Sequence, residues 1–373
     1  MKIGILTLPL HGNYGGNLQA FALMSYLKHM GHEPVLVNLV SEAPGSKTLQ
    51  SQVKQLVRSG IGSIPFLGKR ILSSRNVYKH SEHFIGKYIR PRTCSVKGKD
   101  DFEILRKYEL DGYIVGSDQV WRKEYAKTYI SSYFLDFIRD ETKLRIAYAA
   151  SFGVDAWQFD PTLTSDLKML IHKFDMVAVR EDSAVALCKQ YFDVKAEHVI
   201  DPTMLIKKEE YGALIAREQV PQSKGDCMVY ILDDSEDKKK LVDKIAVDGG
   251  FRCFTVNAQT QNRKAPIRQR RYPPVASWLR GFMDAKFVVT DSFHGTAFSI
   301  LFNKPFIVVG NKERGLARFA SIARMFDLEH RMLASVGEYD ASLLNQTIDW
   351  QKVNGRLEMY REKAARMLGT YLK

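Results

Sequence analysis

The first forty residues leave few options for the fold. Ile3, Ile5, Leu6 and Leu8 mark a short buried strand within the stretch Lys2 to Leu10. The loop His11-Gly12-Asn13-Tyr14-Gly15-Gly16-Asn17 follows. Helical periodicity then runs from Leu18 to Met30, with Leu18, Phe21, Ala22 and Tyr26 on one face. Gly31 stops the helix, and Glu33 to Val40 supplies the next strand. Strand, glycine-rich loop, helix and strand in that order form a βαβ unit. Such a unit implies a parallel sheet and an α/β fold.

The same grammar continues. Strands are expected at 112–116, 145–150, 176–179 and 197–200, each ending in polar residues. After residue 205 it restarts, with strands at 227–232, 251–256, 286–290 and 305–309 and helices at 236–249, 275–285 and 295–302. A chain of 373 residues, at roughly 150 per domain, agrees with two such units. The expected architecture is two Rossmann-like βα domains facing across a cleft. The first covers residues 1–205 and the second 206–345, and a polar helix over 346–373 packs back on the first. Residues 44–99 read as a basic helical and loop insertion. The cleft is the expected site, because strand C-termini of both domains converge there.

Lys and Arg total 55 against 42 Asp and Glu, a net charge of +13 that points to an anionic partner. The four cysteines, Cys94, Cys188, Cys227 and Cys253, show no CxxC spacing. That excludes a zinc ribbon and disfavours a disulfide scaffold. No metal-ligand cluster is legible. The N-terminal apolar run is too short for a membrane span and lacks a cleavage signature, so a cytoplasmic protein is expected.

Four strand ends carry chemistry. The loop at 11–17 opens a helix, where backbone N–H groups favour an anion or a close substrate. The competing reading is a tight turn that needs glycine for positive φ. Ser117-Asp118-Gln119-Val120-Trp121-Arg122 follows a buried strand and combines an acid, an amide, an aromatic and a cation. Arg180 directly follows the strand at 176–179, placed to hold a carboxylate or phosphate through two parallel hydrogen bonds. Thr290-Asp291-Ser292-Phe293-His294-Gly295-Thr296 is the densest block. His294 falls at a helix N-terminus, whose dipole is expected to lower its pKa. Asp201-Pro202-Thr203 reads as turn and cap at least as well as site. Arg314 and Arg318 follow the strand at 305–309.

Together these blocks resemble the polysaccharide pyruvyl transferase family. The matching residues are 4–23, VGSDQVWR at 115–122, ASFG at 150–153, AVREDSA at 178–184, VIDPT at 199–203 and the run at 277–309 containing TDSFHGT. The resemblance implies a GT-B-like fold. It also implies transfer of a pyruvyl group from phosphoenolpyruvate to two sugar hydroxyls as a cyclic ketal, with no cofactor beyond that donor. His294 becomes the catalytic acid and Arg180 a donor-binding arginine. Ser292, Gly295, Thr296, Lys304, Arg314 and Arg318 are expected around the donor. Asn13, Tyr14, Gly15, Gly16, Asn17, Asp118, Gln119, Trp121 and Arg122 are expected around the acceptor, on the side of the first domain. Many family members carry Arg-Leu before the histidine where this chain has Ser292-Phe293, so another cation must substitute, with Arg314, Arg318 and Lys304 as candidates.

The expected partners are phosphoenolpyruvate and a sugar or lipid-linked oligosaccharide of a surface polysaccharide, with a peripheral contact to the inner face of an anionic membrane. Two other readings stand beside this one, the first sharing the cleft and the second resting on the Lys- and Arg-rich stretch 44–99. One is a GT-B glycosyltransferase using a nucleotide sugar. The other is a non-catalytic binder of anionic glycan or nucleic acid, which the absence of any nucleic-acid motif disfavours.

Overall fold

A computed structural model of the chain describes residues 1–40, 64–258, 265–310 and 316–373. It contains two parallel sheets. The first holds β1 (Lys2–Leu6), β2 (Glu33–Leu36), β3 (Gly112–Val115), β4 (Leu144–Ala150), β5 (Met176–Val179) and β6 (Glu197–His198) in the order β2-β1-β3-β4-β5-β6. The second holds β7 (Cys227–Tyr230), β8 (Cys253–Thr255), β9 (Phe287–Thr290), β10 (Phe306–Val309) and β11 (Met332–Leu333) in the order β11-β10-β9-β7-β8. The fold is the α/β arrangement of two βα units that the strand grammar implies, GT-B-like as the family resemblance implies.

These orders fix where a ligand site forms. In the first sheet the chain steps from β1 outward to β2, then returns to the other flank of β1 with β3. In the second it steps from β7 to β8 and returns with β9. Each reversal leaves a crevice at strand C-termini, because the following helices diverge to opposite faces. The glycine-rich loop and the 116–122 loop leave the first crevice. The residues after Tyr230 and Thr290 leave the second.

The strands are shorter than the sequence periodicity suggests. β1 ends at Leu6 rather than Leu10 and β6 at His198 rather than Ile200, since pairing stops where the chain turns into the site loops. A helix at Ile64–Tyr88 occupies part of the basic insertion. Residues 44–63 of that insertion lie outside the described residues.

Central strands such as β9 are wholly buried, and one apolar core is continuous between the halves. It joins Tyr148 and Ile200 of the first half to Trp278, Phe293 and Phe298 of the second. The helix Trp350–Tyr371 ties the halves again. Arg356 bonds the Met325 carbonyl, while Arg361 donates to the carbonyls of Met204 and Ile206 and Lys363 to that of His198. Among the described residues no helix is long and apolar enough to cross a membrane.

Candidate active site

Residues 11–17 form a close contact between the halves. Asn13 caps the helix Tyr14–His29, accepting from Gly16 N at 3.2 Å. Its glycines are selected for closeness rather than for positive φ, which none of Gly12, Gly15 and Gly16 adopts. A Cβ on Gly15 would stand 2.0 Å from His294 Nδ1, and one on Gly12 would stand 2.5 Å from the Tyr272 ring. Only glycine lets this backbone lie against the second half.

Arg180 leaves β5 and is 2% exposed. Its Nη1 donates to Asp201 Oδ2 at 2.8 Å and to Ser117 Oγ at 3.2 Å. Nη2 is 3.9 Å from Asp118 Oδ1, and neither Nε nor Nη2 has a hydrogen-bond partner. The face of the guanidinium lies 4.2 Å from the Phe293 ring centroid, a favourable cation–π placement. Phe293 thus props up Arg180 from the second half.

Asp201 is the hub. Oδ1 accepts from Thr203 N and Thr203 Oγ1, and Oδ2 accepts from Ser117 and Arg180. Burial alone would raise its carboxyl pKa, but the charges of His294 and Arg180 and the bonds from Ser117 and Arg180 hold it at about 2. His294 Nε2 points at the same Oδ2 from 3.8 Å and has no hydrogen-bond partner. Its pKa lies below the usual 6.5, as the helix-end placement suggests, but the leading cause is burial. The charges of Arg180 and Arg318 add to this, and those of Asp201 and Asp118 oppose it. Arg318, at 5% exposure, comes from the helix Leu316–Phe326 of the second half. Burial and the positive charge of Arg180 lower it to about 10 against the pull of Glu181 and Asp118. Two buried arginines, one from each half, therefore repel each other across the crevice.

Several expected ligand-binding residues serve as scaffold instead. Ser292 caps the helix Phe293–Leu301 by accepting from Gly295 N, and Thr296 Oγ1 returns to the Ser292 carbonyl. Gly295 is there because a Cβ would meet Thr290 Oγ1 at 2.1 Å. Tyr14 is 2% exposed, stacks on Trp278 and donates to the Pro273 carbonyl, so it joins the halves rather than facing a sugar. Trp121 is wholly buried against Phe134, with its indole N–H on the Tyr133 carbonyl, and offers no acceptor surface. Gln119 and Arg122 bond each other at 2.9 Å and shape the loop. Asn17 spends its amide on the His11 carbonyl and leaves Oδ1 buried without a partner.

Lys304 is the plain correction among the donor candidates. It precedes β10, and its Nζ binds the Met283 carbonyl before β9, at the N-terminal edge of the second sheet and away from the crevice. Arg314 lies outside the described residues. Among the described residues no cluster of three His, Cys, Asp or Glu side chains could hold a metal.

The model of one family, polysaccharide pyruvyl transferase, matches residues 13–313. The chain belongs to that family. No curated protein is similar enough in sequence to count as a relative. Among solved structures the chain is similar to Staphylococcus aureus MnaA, a UDP co-structure, at 9% identity and TM-score 0.53, covering 100% of this chain and 96% of that one. It is also similar to the UDP-GlcNAc 2-epimerase of Methanocaldococcus jannaschii in complex with UDP-GlcNAc and UDP, at 10% identity and TM-score 0.51, covering 99% and 100%. A Rickettsia africae glycosyltransferase matches at 13% identity and TM-score 0.43, covering 100% and 98%. At such identities the likeness concerns the fold alone.

Asp201, Ser117 and Glu181 are not among the site residues expected from the sequence, yet they order this family member's site. Glu181, 1% exposed, accepts from Ser151 Oγ and Gly153 N. The available signal was the recurrence of an acid or a serine directly after successive apolar strands of one parallel sheet.

Proposed function

We propose that the protein moves the pyruvyl group of phosphoenolpyruvate onto two hydroxyls of a sugar in a surface-polysaccharide precursor and releases phosphate. One observation carries this reading: the Nε and Nη2 edge of Arg180 is buried and unmatched, beside His294 and within the field of a second buried arginine, Arg318. A guanidinium edge buried without a hydrogen-bond acceptor is costly even with Asp118 Oδ1 3.9 Å away, and a bidentate oxyanion is the ligand that satisfies it. Phosphoenolpyruvate has two anionic groups for two arginines. It also has a methylene carbon that must gain a proton, which His294 supplies once the bound anion offsets the burial that disfavours its imidazolium. Arg318 takes the place of the arginine that many members carry at position 292.

Calorimetry with phosphoenolpyruvate and, separately, a panel of nucleotide sugars tests the donor. Saturable binding of phosphoenolpyruvate alone is expected, together with phosphate release that His294→Ala abolishes. Binding of a nucleotide sugar but not phosphoenolpyruvate would replace this reading with glycosyl transfer. Phosphate release that survives His294→Ala would remove His294 from the mechanism.

A further inference from the structure

Three carboxylates act electrostatically on Arg180: Asp201, Asp118 and Glu181. They are not equivalent. Asp201 has a fully buried side chain, with both oxygens accepting hydrogen bonds. Glu181 is 1% exposed and braced by Ser151 and Gly153. Asp118 is 6% exposed, the most reachable of the three. Its Oδ1 accepts from Gln119 N at 2.9 Å, and its Oδ2 faces the glycine-rich loop, 3.4 Å from where a Cβ on Gly16 would sit. Its backbone holds φ at 80°, a left-handed conformation that few non-glycine residues adopt, and it bridges to Ala150. Such a conformation at a strand end marks a side chain held in one place. The charge of Asp118 acts on His11, Tyr133 and Arg180 of its own half and on His294 and Arg318 of the other.

The pyruvyl reading, on which this inference rests, assigns a proton donor but leaves the hydroxyl protons without an acceptor. We propose that Asp118 is the catalytic base for the first sugar hydroxyl and that Asp118 and His294 exchange roles in the second step. In the first step the hydroxyl oxygen bonds to the central carbon of phosphoenolpyruvate and its proton passes to Asp118. The double-bond pair takes the proton of the His294 imidazolium, and the methylene becomes a methyl group. In the second step the other hydroxyl bonds to the same carbon and gives its proton to the now neutral His294. The carbon–oxygen bond to phosphate breaks, its electron pair leaves on phosphate, and Asp118 protonates that oxygen. Both side chains return to their starting states. Of the two hydroxyl protons, one offsets the proton spent on the methyl group and the other leaves on phosphate.

Asp118→Asn tests this, because asparagine is isosteric and tolerates the left-handed backbone. The assay follows pyruvyl transfer and phosphate release from phosphoenolpyruvate with a panel of methyl hexopyranosides, and hydrolysis to pyruvate with water as acceptor. D118N should bind phosphoenolpyruvate as tightly as wild type or tighter, since one negative charge near Arg180 is gone. It should turn over at least a hundredfold more slowly. D118E should recover part of the rate. Wild-type rate in D118N, or equal loss of donor binding and turnover, overturns the assignment. Wild-type protein that binds no phosphoenolpyruvate, or converts it with neither acceptor set, overturns the pyruvyl reading itself and this step with it.

Discussion

Each sheet carries a buried ion pair at the C-terminal ends of its strands, and the two pairs differ in what they leave undone. In the second half Asp291 accepts from Leu232 N at 2.6 Å, Asp233 N at 3.1 Å and Lys238 Nζ at 2.7 Å, and Lys238 also holds the Asp233 carbonyl. That pair is closed. In the first half Asp201 is equally saturated, but its partner Arg180 has two N–H-bearing nitrogens with no acceptor. Both carboxylates are wholly buried just beyond strand ends, while the cations differ: Lys238 comes from the helix Glu236–Gly249 and Arg180 directly follows β5. The unfilled hydrogen-bonding capacity of the guanidinium marks the pair built for a ligand.

Substitutions at the two cations should separate these roles. Arg180→Lys retains the charge but removes the planar edge, so donor affinity should fall by a hundredfold or more in calorimetry, with a modest change in melting temperature. Lys238→Met leaves Asp291 buried without its counter-charge. It should cost about 3 kcal/mol in chemical denaturation while donor affinity is unchanged. If Lys238→Met abolished donor binding at intact stability, the second pair would belong to the site and the contrast would fail.

Gly15→Ala probes the contact between the halves. A methyl 2.0 Å from His294 Nδ1 must displace the ring. Misplacing a reacting group by about 1 Å costs on the order of a hundredfold, so turnover should fall roughly that much. Donor affinity, held by the arginines, should change far less.

The smallest expected effect is on stability against pH. Burial lowers the pKa values of His294, His11 and His198 below 6.5. Below pH 6.5 the unfolded chain therefore binds more protons than the folded one, and stability present above that pH is lost as pH falls. The urea midpoint should drop between pH 7 and pH 5, and His294→Gln should flatten part of that drop. An unchanged slope would mean that His294 is solvated.

The sheet architecture was legible because parallel strands buried on both faces read as apolar runs between helices. His294 and Arg180 were legible for a related reason, since Arg180 directly follows such a run and His294 lies in the polar block that follows another. Asp201 was harder. Asp-Pro-Thr after a strand is also a cap, and the structure shows both roles in one side chain, with Oδ1 on Thr203 and Oδ2 on Arg180. Lys304 misled because closeness in sequence to a strand does not say which end of the strand matters. Trp121 misled because an aromatic inside a polar run looks exposed, whereas the chain turns it back under Phe134 and Phe152. Arg318 could be nominated from its position but not placed, since its neighbours come from residues more than 130 positions earlier.

Gly15 lies against the ring of His294, so the wall that keeps water from the imidazole belongs to the opposite half of the molecule. Proton affinity and the fit between the halves are therefore coupled quantities. Any displacement that parted the glycine from the ring would hydrate the imidazole and let it bind a proton more readily. Re-seating the glycine would make that proton easier to release. By the same linkage, acid would favour the parted arrangement, and an anion between Arg180 and Arg318 the seated one.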